Sequence, residues 1–257
     1  MEKEKLSICI VTFKQRFDIF KSLVINLRKD NPETSIIVAV NSNLNEEMDS
    51  NYRDEMLKFC LEIKKCYPIF CAEFKSLSKL WNTLIIFSNN NYNFILNDDI
   101  RYNHPNLISE LEKHINHSNN QLFTLNGSWS HFIITKKIIH ELNYFDERFI
   151  GVGEEDGDMV HRYIKKYNKS IDTFNVPNFG NTARYDLKDE KIECHIDNKP
   201  KFNREFLKIK YKYDENGICG MNPNPLKQVM EDLSQYPYEE FFIKNKEQLA
   251  NYKGIKL

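Results

Sequence analysis

Residues 151–159, GVGEEDGDM, set four carboxylates, Glu154, Glu155, Asp156 and Asp158, into five positions framed by three glycines. Carboxylates this close raise one another's pKa, so the cluster needs a reason to exist. Four readings are open: acid at a helix N-terminus, a calcium loop, a metal site, or a general base. Acid at a helix start is ordinary on its own. The alternating D-x-D-x-D-G pattern ending in Glu at position twelve is absent, so a calcium loop fits poorly. Phosphate binding at the GxG is opposed by the four negative charges. A general base needs a carboxylate within hydrogen-bond reach of the proton it takes, and the block supplies one. A second acidic group closes the stretch YNFILNDD at residues 92–99. Asn-Asp-Asp is common turn chemistry, which is the plainer reading. In an extended strand, however, Asn97 and Asp99 share one face and Asp98 takes the other. A hard divalent ion is held by one or two carboxylates plus substrate phosphates, so a single Asp99 suffices for Mn²⁺ or Mg²⁺.

The elements that must carry these groups alternate. LSICIVTF (6–13) reads as a buried strand, and Phe17, Phe20, Val24 and Leu27 follow at helical spacing over 17–29. TSIIVAV (34–40), YPIFCAE (67–73) and YNFILNDD give further strands, with helices over 48–64 and 77–89 between them. This order predicts an α/β fold with a mostly parallel central sheet flanked by helices. Strand ends of such sheets are where ligands bind. In the second half, LFTLN and HFIIT read as strands, TKKIIHELN as a helix begun by Thr135, and Glu155 to Tyr167 as a helix. SIDTFNV is another strand. Residues 178–191 are polar and unpatterned, a candidate lid loop.

The formal net charge of −1 over 257 residues argues against a basic nucleic-acid-binding surface. No apolar run of about 18 residues exists, and MEKEK leads into no secretory signal pattern. The six cysteines form no CxxC pair, which fits a reduced, cytoplasmic setting. No glycine occurs before Gly127. Gly-rich phosphate loops after a first strand are thereby excluded, and with them a Walker-type ATPase or a dinucleotide dehydrogenase built on that turn. Any nucleotide diphosphate must be neutralised by side chains or a metal. Lys14 and Arg16, just after the first strand, are candidates.

These pieces together resemble the GT-A (Rossmann-like) glycosyltransferases, in particular inverting family 2 and the β1,4-galactosyltransferase-like enzymes. IVTFKQR resembles the strand-one ending, KLWNTLI the helix carrying an Asn, and FILNDDI an Asp-x-Asp motif opened by Asn. FDERFIGVGEEDGDMVHR resembles the F-D-x-x-F…G-x-G-x-E-D-x-D-x-x-x-R block, the most specific of the four matches. The likeness covers roughly residues 6–210. It implies Asp156 as general base and Asp99 as metal ligand. His195, in IECHID, would complete the metal shell, although a lone histidine is as readily structural. Thr12, Lys14, Arg16, Asn41, Asn82, Asn97 and Asp98 would contact the nucleotide sugar, and Glu155 and Trp129 the acceptor. A core tryptophan is the alternative for Trp129. Asp158 and Arg162, spaced i, i+4, would brace the helix. There are departures: AVNSN has no acid after the second strand, Asn97 replaces the motif's first aspartate, and Val152 stands where the galactosyltransferases have tryptophan.

The implied activity is metal-dependent transfer from a nucleotide sugar, UDP-linked, to a saccharide or lipid-linked acceptor in surface polysaccharide synthesis. The enzyme would be cytoplasmic or peripheral to the inner membrane face. The expected organisation is a catalytic domain over 1–221, with a nucleotide-binding half (1–104) and an acceptor half (105–221), followed by a helical tail (222–257). Two competitors share these features. A sugar nucleotidyltransferase would need the Gly-rich turn that is missing, and a non-catalytic carbohydrate-binding relative would bind nucleotide weakly.

Overall fold

The computed structural model describes residues 6–43, 47–118, 120–181 and 199–211. The strands are β1 (Leu6–Phe13), β2 (Ile36–Asn41), β3 (Cys66–Phe70), β4 (Tyr92–Asn97), β5 (Ile100–Arg101), β6 (Leu122–Leu125), β7 (Ser128–Thr135), β8 (Asp172–Phe174) and β9 (Gly180–Asn181). Seven of them form one sheet in the order β3-β2-β1-β4-β7-β6-β8, while β5 and β9 make a separate two-stranded ribbon. β1 runs parallel to β2 and β4, β2 parallel to β3, and β6 parallel to β8. Only β7 opposes its neighbours β4 and β6. The central strands are covered on both sides, which is why β1 and β2 read as unbroken apolar runs rather than alternating ones.

The helices are α1 (Phe17–Asp30), α2 (Ser50–Glu62), α3 (Leu77–Phe87), α4 (Leu107–Ser118), α5 (Lys136–Glu141), α6 (Glu155–Tyr167) and α7 (Lys199–Tyr211). A single 3₁₀ turn, Lys14–Arg16, joins β1 to α1 without a glycine. α1, α2 and α4 pack their apolar stripes on one face of the sheet, through Phe20, Met56 and Leu111 among others. α3, α5 and α6 cover the other, through Trp81, Ile139 and Met159. Short polar side chains start three helices: Asp49 accepts from Tyr52 N at 2.8 Å, Ser76 from Lys79 N and Thr135 from Ile138 N. No helix among the described residues is long and apolar enough to cross a membrane.

One sequence expectation is corrected. β4 ends at Asn97, and Asp98 and Asp99 lie in the turn that follows, so strand alternation does not separate them. Both reach the same guanidinium, as described below. Two helices escaped the sequence reading: α4, and α7, whose polar composition hides Phe206 and Leu207, both fully buried. His195, most of the candidate lid and the 222–257 tail lie outside the described residues.

Candidate functional site

Because β1 to β4 are parallel, their carboxyl ends share one edge of the sheet, and the functional candidates gather there. Asp98 and Asp99 follow β4 and are 2 % and 5 % exposed. Arg16, in the turn after β1, donates from Nη1 to Asp98 Oδ1 at 2.9 Å and lies 3.3 Å from Asp99 Oδ2. The other oxygen of Asp99 accepts from Asn181 Nδ2 of β9 at 2.9 Å. Among the described residues Asp98 Oδ2 is buried without a well-formed hydrogen bond, with the Thr12 hydroxyl the nearby donor. Burial pushes the Asp98 carboxyl up to about 6, against the pull of Arg16, and the neighbouring Asp99 adds to the rise. A buried carboxylate oxygen left without a good partner is costly, and a cation or donor would relieve it. Thr12 is buried at the end of β1, and Asn97 is half-buried at the end of β4. Lys14 is turned to the surface, bonded to Asp49 at 2.8 Å.

Two asparagines expected at the nucleotide instead hold backbone. Asn41 donates to Lys75 O and accepts from Lys75 N, each at 2.9 Å, tying the end of β2 to the segment that enters α3. Asn82 of α3 donates to Phe145 O at 2.9 Å and to Glu147 Oε1 at 3.0 Å, and accepts from Phe145 N at 2.9 Å. Both ends of each amide are therefore used, and each clamps a loop of the same edge. Leu77 N, opening α3, donates to Gly151 O at 2.8 Å. This bond brings the 151–156 segment to the carboxyl edge, where the strand-end acids also stand.

That segment turns sharply before α6. Gly151 and Gly153 have φ of 59° and 117°, and Glu154, at φ 69°, is the helix's left-handed N-cap. Glycine adopts such backbone freely where other residues strain. Asn203 of α7 fastens the turn, accepting from Ile150 N at 2.9 Å and donating to Ile150 O and Gly153 O at 2.8 and 2.7 Å.

The four carboxylates divide into two pairs. Glu154 accepts from Arg204 Nε at 3.0 Å. Asp158, fully buried, accepts from Arg162 Nε and Nη2 at 2.9 and 2.6 Å, from Tyr211 Oη at 2.7 Å and from Lys210 Nζ. Lys210 also reaches Asp146 at 3.0 Å. Burial alone would raise the Asp158 carboxyl, but Arg162 and Lys210 outweigh it and hold it far below the usual range. Glu155 and Asp156 have backbone partners instead: Gly153 N donates to Glu155 Oε2 at 2.6 Å and Gly157 N to Asp156 Oδ1 at 2.8 Å. Burial lifts Asp156 to about 6 against its Gly157 bond, with Glu154 adding to the rise. Burial, then the charge of Asp156, lifts Glu155 to about 8. Burial thus overrides the stabilisation that a helix N-terminus offers an ionised acid. Neighbouring carboxylates with such different environments are how one site holds both a base and an acid.

Trp129, 7 % exposed at the start of β7, packs against Phe132 and Phe145 at ring distances of 4.9 and 6.3 Å, in the manner of a core residue. Sequence reasoning missed Asn181, Asn203, Arg204, Lys210 and Tyr211. The last four share α7, and the sequence reading had paired Asp158 with Arg162 alone.

No family model and no curated protein sequence matches the chain. Solved structures do match. S. aureus TarS superposes with a TM-score of 0.53 at 11% identity, over 68% of this chain and 36% of that one. Its residues 1–349 in complex with UDP-GlcNAc give 0.52 at 11% identity, over 68% and 57%. The mannosyltransferase PcManGT from Pyrobaculum calidifontis, in complex with GDP-Man and Mn²⁺, gives 0.53 at 7% identity, over 68% and 55%. The chain thus spans about a third to three fifths of the length of these neighbours. The likeness is one of fold: a mostly parallel α/β sheet flanked by helices, as in GT-A-like glycosyltransferases.

Proposed function

We propose that this protein transfers a sugar from a nucleoside-diphosphate sugar, UDP-linked, to a hydroxyl of a saccharide or lipid-linked acceptor, with inversion at the anomeric carbon. The observation that carries the reading is the pair Glu155–Asp156: Glu155 buried and Asp156 half-buried, both raised in pKa, bonded among the described residues to backbone N–H groups, and carried by a segment that Leu77 N ties to the carboxyl edge of the sheet. The fold neighbours bind UDP, UDP-GlcNAc or GDP-Man, which favours a nucleotide-sugar donor over other ligands of that edge.

Asp156 takes the proton of the attacking hydroxyl as the new bond forms on the face opposite the departing diphosphate. A base that ionises near 6 is charged at neutral pH yet basic enough for this task. Glu155 stays protonated at neutral pH and donates to an acceptor oxygen. Arg16 balances the diphosphate, with Thr12 and Asn97 at the ends of β1 and β4 facing the nucleotide and Lys14 at the rim. Asn41 and Asn82 act as positioning residues. Asp158, through Arg162, Lys210 and Tyr211, fixes the first turn of α6 and with it the direction of Asp156. Asp99 and Oδ2 of Asp98 are hard oxygen donors that fit Mn²⁺ or Mg²⁺. Such an ion, when bound, neutralises charge on the leaving diphosphate. Donor phosphates would complete the shell, with His195, outside the described residues, as the further candidate ligand. Surface polysaccharide assembly at the inner membrane face is the setting this chemistry suits.

A panel of UDP-, GDP- and dTDP-sugars incubated with the protein and Mn²⁺ tests the reading. One donor is expected to release its diphosphate faster than buffer alone, and faster again with acceptor. Equal release with and without protein across the panel would leave a non-catalytic relative as the description of the chain.

A further inference from the structure

Beside the strand-end acids the structure holds a concavity of about 390 Å³, within the size range of small-molecule sites. It is lined by Arg101 and Asn103 after β4, by Asn178 and Phe179, and by Gly180 and Asn181 of β9. Asn181 is the shared wall: it lines this cavity while its Nδ2 holds Asp99 Oδ1 at 2.9 Å. We propose that the cavity is the docking subsite for the saccharide portion of the acceptor, a neutral polyhydroxylated chain held next to the reacting edge. The proposal rests on the transfer reaction inferred above and assigns that reaction's second substrate a place.

Three features favour this occupant. The first is the chemistry of the lining. Asn103 and Asn178 are exposed, and neither side chain is hydrogen-bonded among the described residues. A primary amide offers two N–H donors and a carbonyl acceptor, and a sugar hydroxyl is both donor and acceptor, so the two match group for group. A phosphate would suit Arg101, which already has a partner within the chain, but it only accepts and would leave both amide carbonyls unmatched. The second is the floor. Phe179 is 6 % exposed, stacked near Phe94 at 6.3 Å, and presents a small apolar surface between polar groups, the mixture that orients a ligand in a pocket. The third is rigidity. Asn126 donates to Val176 O and Phe179 O at 2.8 and 2.9 Å and accepts from Val176 N at 2.7 Å, so the 176–179 wall is pinned before any ligand arrives. A wall already ordered costs less to bind against.

The test is a glycan array of neutral and acidic oligosaccharides, probed with labelled wild-type protein and with an Asn103→Ala/Asn178→Gly double variant. Glycine is chosen at 178 because Asn178 has φ 56°, a backbone that alanine would strain. A second variant, Asn103→Asp/Asn178→Asp, keeps side-chain shape and removes the N–H donors. Wild type is expected to retain a subset of neutral glycans, and both variants to lose at least tenfold in apparent affinity for them. Wild type that captures no glycan, that captures only acidic ones, or that is matched by the two variants would overturn the subsite. Calorimetry of UDP and GDP on the same preparations separates this from the reaction itself. Nucleotide binding with variants that match wild type on the array removes the subsite alone, whereas absent nucleotide binding removes the reaction.

Discussion

Asp156→Asn is expected to lower kcat/KM for sugar transfer by about 10²–10⁴-fold, the range a positioned general base contributes. The substitution is nearly isosteric, and the amide oxygen can still accept from Gly157 N, now at 2.8 Å from the carboxylate. The loss is therefore chemical rather than architectural, and nucleotide affinity by calorimetry should stay within a few-fold of wild type. The pH dependence carries its own sign. Burial places the Asp156 carboxyl at about 6, so the charged base predominates above that value and is lost below it. For wild type, kcat/KM should fall as pH drops through about 6. The residual rate of D156N should show a shallower fall, keeping only what Asp98, which also ionises near 6, contributes. An Asn enzyme with wild-type kcat/KM, or a wild-type profile flat down to pH 5, would remove the residue from this role.

Asp158→Ala is expected to cost about 3–5 kcal/mol of folding stability, because it strips the shared anion from a buried Lys210 and a largely buried Arg162. Lys210 is 2 % exposed and the Asp158 side chain fully buried, while Arg162 also donates to the carbonyls of Leu142 and Tyr144. With Asp146 left as Lys210's one remaining carboxylate partner among the described residues, the positive charges at this junction are under-compensated. In a domain of this size the melting temperature should fall by on the order of 10 °C. The same sign holds for pH. Asp158 is depressed in the folded state, so its contribution is fully present above the ordinary aspartate range and is lost progressively as pH falls from there through its own much lower value. A thermal melt of the variant within 2 °C of wild type would show that the network is held together by something other than this carboxylate.

The central strands were legible because burial on both faces leaves a local trace. LSICIVTF and IIVAV are continuous apolar runs, and Phe20, Val24 and Leu27 repeat at helical spacing. Asp49, Ser76 and Thr135 likewise mark helix starts by their own chemistry. Relations between distant segments left no such trace. Nothing in FILNDDI says that Asp98 and Asp99 would both turn onto Arg16, 82 and 83 positions away, because the strand's end depends on a turn and on a partner supplied by β1. Asn41 and Asn82 stood at positions suited to a ligand, but an amide satisfies two backbone groups as readily, and here each does so across the fold. The acidic block could be recognised as unusual from its spacing. Its division into two ion-paired and two backbone-bonded carboxylates became visible only once α7 delivered Arg204 and Lys210.

The central claim is that the edge bearing Asp98 and Asp99 receives a nucleoside diphosphate. Calorimetric titration of UDP and GDP into wild type and Asp99→Ala, each with and without Mn²⁺, tests it most directly. One nucleotide should bind wild type at least tenfold more tightly with Mn²⁺, and Asp99→Ala should lose that increment while its fold persists. Failure of both nucleotides to bind wild type with or without the ion, or equal binding by Asp99→Ala, would contradict it.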